Sequence, residues 1–130
     1  MKRKENANVV NHKPTIHYSP KTQGQAELYH DLDEVNLMVA LGPAGTGKSY
    51  TCYMKAASWL VRGAIHHIIL TRANVSTGKS LGAVPGTLEE KLEPWMMPMT
   101  DVLREALGKG FYEYSQKRGR IETVAIETIR

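Results

Sequence analysis

Gly42-Pro-Ala-Gly-Thr-Gly-Lys48-Ser49 is the stretch on which the reading of this chain turns. It fits G-x-x-x-x-G-K-[ST], the pattern of a loop that cradles polyphosphate. In a chain of 130 residues, a chance match is on the order of 1% or less at average glycine usage. The flanks agree with the motif. An apolar run, Val35-Asn-Leu-Met-Val-Ala-Leu41, comes before it, and a helix-compatible run from Tyr50 to Arg62 follows. Strand, glycine loop and helix form the arrangement that phosphate chemistry needs.

The residue types supply the chemistry. Gly42, Gly45 and Gly47 are free to adopt positive φ and carry no Cβ, so backbone N–H groups can converge on an anion. Pro43, Ala44 and Thr46 complete the loop. A helix starting near Lys48 adds unpaired N–H donors and the positive end of its dipole. Lys48 is placed to reach β- and γ-phosphates, which makes it the catalytic candidate, and the Ser49 hydroxyl is placed to ligate Mg²⁺. ATP with Mg²⁺ is the ligand expected.

Composition bounds the rest. One domain at most fits in this length, and 42% hydrophobic with 23% charged residues is ordinary globular usage. A net charge of +4 permits contact with nucleic acid without indicating it. The single cysteine, Cys52, rules out a disulfide within the chain and suits a reducing, cytoplasmic setting. Met1-Lys-Arg-Lys4 is basic but no apolar segment follows, so it does not read as a secretory signal. No apolar stretch is long enough to span a membrane.

Along the chain, residues 1–20 read as a flexible basic arm and residues 21–130 as the remaining domain portion. Gln23 to Asp31 suits a short helix, and Val35 to Leu41 reads as a buried strand of a parallel sheet. In the helix after the loop, Tyr53, Ala56, Ala57 and Leu60 share a face, and Gly63 stands where a terminating glycine belongs. Ala64 to Thr71 reads as a second buried strand, completing a βαβ unit. Arg72 to Gly86 is a polar loop at the edge where ligands bind in open α/β sheets. Leu88 to Leu107 reads as a helix broken or kinked by Pro94 and Pro98 and closed by Gly108, and Ile121 to Ile129 as a further strand.

Other residues have weaker signals. A nucleotide-hydrolysing site needs an acid at the end of a second apolar strand. Leu32-Asp-Glu34 has no strand leading into it and reads as a helix terminus and polar turn, and Glu127 lacks a paired acid. Gln25 carries an amide able to pair with an adenine edge, and Tyr29 is one turn away, although a surface Gln and a core Tyr account for both. His66 and His67 should point to opposite faces of a strand, one of them buried. Trp95, Met96, Met97 and Met99 read as packing. Lys109, Lys117, Arg118 and Arg120 surround Phe111, Tyr112 and Tyr114, which reads as a solvated turn and secondarily as a stacking surface for single-stranded nucleic acid.

Taken in order, these segments resemble the PhoH family of predicted ATPases, which are related to superfamily 1 helicases. The resemblance rests on Lys21-Thr-Gln-Gly-Gln25, the loop itself, Ile68-Ile-Leu-Thr-Arg72, Leu81-Gly-Ala-Val-Pro-Gly86, Glu90-Lys91 and Pro94-Trp95, and covers residues 20–130. It implies an α/β P-loop NTPase fold, a parallel sheet flanked by helices and incomplete on its C-terminal side. It also implies that Gln25 reads adenine and that Thr71 and Arg72 contact nucleic acid or couple it to the nucleotide. The chain departs from the family at Thr71-Arg-Ala-Asn-Val75, where Thr-Arg-Pro-Ala-Val is usual, and at Lys79-Ser80, where an acid usually precedes Leu-Gly.

Family members continue into an apolar strand ending in Asp-Glu, so the resemblance casts these residues as the N-terminal part of such a protein, partial or phage-encoded. The expectation is an ATP-binding chain, an ATPase when complete, acting with RNA or other nucleic acid as a ring-shaped homo-oligomer. Two alternatives stand beside it. A P-loop small-molecule kinase needs a lid with arginines and an acceptor pocket, and a non-hydrolysing module uses the bound nucleotide to control assembly.

Overall fold

The computed structural model describes residues 13–73, 88–126 and 129. Helix α1, Gln23–Asp31, begins where the Thr22 side chain accepts a hydrogen bond from the Gln25 amide at 3.1 Å, an N-cap that satisfies one of the open donors of the first turn. Helix α2, Lys48–Arg62, leaves the glycine loop at Gly47 and stops at Gly63, both in the left-handed region. Gly63 is therefore the terminating glycine its position implied. Ala57 and Leu60 are buried, while Tyr53 and Ala56 pack at the margin of the core.

Strand β1, Ile68–Arg72, pairs in parallel with β2, Ile121–Ala125, in a register that runs from Ile68 opposite Ile121 to Arg72 opposite Ala125. Helices α3, Leu88–Leu107, and α4, Lys109–Lys117, lie between them in the chain. The architecture is thus α/β with a parallel pair flanked by helices, as the sequence implied. Ile68, Leu70, Ile121 and Ala125 from the strands meet Ala57, Met96, Leu103 and Tyr112 from the helices in one core.

Four details depart from the sequence reading. Val35 to Leu41 runs without helix or ladder, and Leu37 and Leu41 are 83% and 88% exposed. A strand needs hydrogen-bonding neighbours along its edges, and no strand among the described residues lies beside this one. An apolar run announces that it is to be covered but not by what. The observed parallel crossover therefore joins residues 68–125 rather than 35–71. Second, β1 begins at Ile68, leaving both His66 and His67 exposed ahead of it.

Third, α3 is one continuous helix through Pro94 and Pro98. Each proline removes a ladder bond, yet Met96, Leu103 and Leu107 are buried on the same helix and their packing holds it together. Fourth, Lys109–Lys117 forms α4 and not a solvated turn. Its Tyr112 and Ser115 are buried three residues apart, a helical stripe masked in the sequence by surrounding charge.

Candidate phosphate-binding site

The loop between the extended segment and α2 has the backbone its glycines permit. Gly45 and Gly47 have φ of 80° and 82°, where an L side chain is strained. Gly42 is not in that region. A Cβ there would lie 3.5 Å from Lys48 Cδ, so its bareness leaves room beside the lysine stem. The Lys48 ammonium folds back onto its own loop, donating to the carbonyls of Gly42 and of Pro43, the latter at 2.8 Å. Thr46 Oγ1 also donates to the Pro43 carbonyl, at 2.9 Å. Ser49 is exposed in the first turn of α2. The mouth of the loop thus joins a helix N-terminus, a lysine ammonium and a hydroxyl, a set that suits an anion.

Gln25 reaches this loop from α1. Its Nε2 donates to the Thr46 carbonyl at 2.8 Å, and its Oε1 accepts from the Lys21 amide at 2.8 Å. A Cβ added at Gly47 would come within 2.7 Å of Gln25 Nε2. The backbone angle thus calls for glycine at position 47, and a side chain there would also displace the Gln25 amide from the Thr46 carbonyl. A cleft of about 430 Å³ opens alongside, lined by Gln25 and Leu28 of α1, Met38 to Leu41 of the extended segment, and Gly42, Pro43, Thr46 and Lys48 among others.

Tyr29 is engaged elsewhere. It stacks on Tyr18 with ring centroids 4.6 Å apart, and the Lys55 ammonium sits 3.7 Å from its ring centre. Tyr18 in turn shares a 2.6 Å hydrogen bond with Thr51 Oγ1 of α2. These contacts make Tyr29 a packing residue, not a platform for a base.

Sequence reasoning missed the group that fastens α1 to α2. Asp33, just past α1, accepts from Lys55 Nζ at 2.6 Å and from Trp59 Nε1 at 2.7 Å, with Arg62 at 4.0 Å. Lys55 is only 3% exposed, and a cation so covered needs a partner. Those bonds from Lys55 and Trp59 hold the Asp33 carboxyl below its ordinary range. The available signal was a lysine on the inward stripe of α2, beside Met54 and Ala57. Asp33 therefore serves in a polar turn, as its sequence context indicated. Half-burial pushes the Cys52 thiol above its usual value.

The remaining candidates stand on other elements. Thr71 Oγ1, at the end of β1, is buried with no hydrogen-bond partner among the described residues. The aromatics of α4 are packed. Tyr112 is buried under the Arg104 guanidinium and so offers no face to a base, while half-exposed Tyr114 has one face against Arg118, each pair at 4.9 Å. Leu81 to Gly86, the Trp95 side chain and Glu127 lie outside the described residues. No cluster of metal-ligating His, Cys, Asp or Glu exists among the described residues. No helix there is long and apolar enough to cross a membrane.

A parallel α/β core with a glycine loop opening a helix defines part of a P-loop NTPase domain. The family model described as PhoH-like protein matches residues 17–130, and the chain belongs to that family. It is 42% identical over 110 residues to the PhoH-like protein of Bacillus subtilis (strain 168), covering 85% of this chain and 34% of that protein. To the PhoH-like protein of Mycobacterium tuberculosis (strain ATCC 25618 / H37Rv) it is 35% identical over 111 residues, covering 85% and 32%. Protein PhoH of Escherichia coli (strain K12) is 30% identical over 112 residues, again 85% and 32%. The chain spans about a third of the length of these relatives.

Proposed function

We propose that this chain binds ATP with Mg²⁺ at the loop from Gly42 to Ser49, the nucleotide-binding part of a PhoH-like ATPase. The observation that carries the reading is the Lys48 ammonium, held on the carbonyls of Gly42 and Pro43 at the start of α2. On arrival of a triphosphate this cation exchanges two loop carbonyls for β- and γ-phosphate oxygens, a charge-assisted and stronger pairing. The N–H groups of Gly45 to Lys48 and the N-terminus of α2 take the remaining phosphate charge. Ser49, exposed in the first turn, offers its hydroxyl to the metal. Bound Mg²⁺ would neutralise the charge between β- and γ-oxygens.

Hydrolysis needs a carboxylate to hold the metal and align water. Asp33 is committed to Lys55 and Trp59, and Glu27 and Asp31 of the cleft stand on α1 rather than at a strand end. In this reading none of these three carboxylates is the catalytic acid, and the chain by itself binds nucleotide and turns it over negligibly. Family membership also motivates action on RNA or other nucleic acid by a ring of subunits in the cytoplasm. A titration with a fluorescent ATP analogue in the presence of Mg²⁺, run beside a phosphate-release assay, tests both halves. Saturable binding with no release supports the reading, while turnover at an ordinary NTPase rate that Lys48→Ala abolishes would overturn the second half.

A further inference from the structure

We propose that the Asp33–Lys55–Trp59 clamp is a positioning element for the phosphate loop, acting through α1 and Gln25; the inference rests on the nucleotide-binding reading above. Helix α1 touches the phosphate-loop unit at two places. At its N-terminal end, Gln25 Nε2 bonds the Thr46 carbonyl at 2.8 Å. Beyond its C-terminal end, Asp33 bonds Lys55 and Trp59, which lie further along α2. The two helices therefore run side by side in the same direction, fastened at both ends.

A third contact lies between these ends. Tyr18 stacks on Tyr29 of α1 and shares a hydrogen bond with Thr51, which is buried on α2. Lys55, against the Tyr29 ring and on Asp33, ties this contact to the far end.

The loop depends on this fastening because it has little else to set its shape. Among the described residues, the side-chain bonds to its carbonyls other than that of Gln25 come from its own Thr46 and Lys48. Gln25 also occupies the space into which a side chain at position 47 would project. Releasing the far end lets α1 shift, and a shift near 1 Å takes a hydrogen bond of 2.8 Å beyond useful range. The Thr46 carbonyl then loses its outside support, and the N–H groups after it lose a fixed aim at phosphate.

A double-mutant cycle on the full 130-residue chain tests this. ATP affinity is measured for the wild type, Asp33→Asn, Gln25→Ala and the pair, with Trp59→Phe as a milder break of the same clamp. Asp33→Asn is expected to weaken ATP by at least about threefold, and to add less than about 1.5-fold once Gln25 is already Ala. Equal losses in both backgrounds would show a merely structural role and overturn the proposal. Hydrogen exchange of the Gln25 side-chain amide, followed by NMR without nucleotide, gives an independent arm. Protection is expected in the wild type and lost in Asp33→Asn and Trp59→Phe; protection unchanged in both variants would also overturn it. A wild type that binds no ATP refutes the proposed function alone, and the exchange arm still decides the clamp.

Discussion

Gln25 of α1 and Thr46 of the glycine loop, 21 residues apart, are joined by a 2.8 Å bond from side-chain Nε2 to backbone carbonyl. That bond makes the helix ahead of the loop a structural part of the phosphate site. A Cβ at Gly47, already disfavoured by a φ of 82°, would come within 2.7 Å of the same nitrogen and push the glutamine off the carbonyl.

Gly47→Ala is accordingly expected to cost about 1–2 kcal/mol from the left-handed backbone alone, with a further loss from the collision. Measured against Gln25→Ala alone, the same Gly47→Ala change should cost only the first part. Thermal unfolding of the single and double variants checks the order. A Gly47→Ala chain as stable as the wild type would contradict the loop geometry.

Asp33 sets an acid dependence. Its carboxyl is lowered from an ordinary value of 3.8, first by the bond from Lys55 and then by that from Trp59. A folded value below the unfolded one means the clamp contributes fully above about pH 4 and is lost as pH falls through the folded value. Stability measured from pH 6 downward should therefore fall less steeply below about pH 4 in Asp33→Asn than in the wild type. Parallel curves would show that the carboxylate is not tied as described.

The extended segment bears an apolar face. Leu37 and Leu41 are 83% and 88% exposed, so replacing each with Ser is expected to change stability by no more than about 0.5 kcal/mol while reducing self-association. Chemical denaturation and light scattering report the two effects separately. A loss of several kcal/mol would place these side chains in the core.

Much of this was legible in the sequence because it is local. The glycine loop, the helix starting at Lys48, its stop at Gly63 and the end of the later helix at Gly108 follow from residue types at fixed offsets. What failed was tertiary. Nothing within Val35 to Leu41 says which strand lies beside it, and the parallel partner of β1 proved to be β2, some fifty residues along the chain. Helix α4 was hidden because Lys109, Lys117 and Arg118 outweighed the two-residue inward stripe of Tyr112 and Ser115. The clamp was missed because Asp33 and Lys55 meet only after α1 and α2 lie together, 22 residues apart in sequence.

In the proposed binding event Lys48 exchanges its loop carbonyls for the phosphates of ATP. Calorimetric titration of the chain with ATP and Mg²⁺, repeated on Lys48→Ala, measures what that exchange contributes. Losing a charged hydrogen-bonding partner of this kind costs about 1.5–3 kcal/mol, so affinity should fall roughly 10- to 100-fold. The fold should persist, because among the described residues Lys48 bonds only carbonyls of its own loop. Equal affinity in the two proteins, or no binding by the wild type, would rule out that role for Lys48.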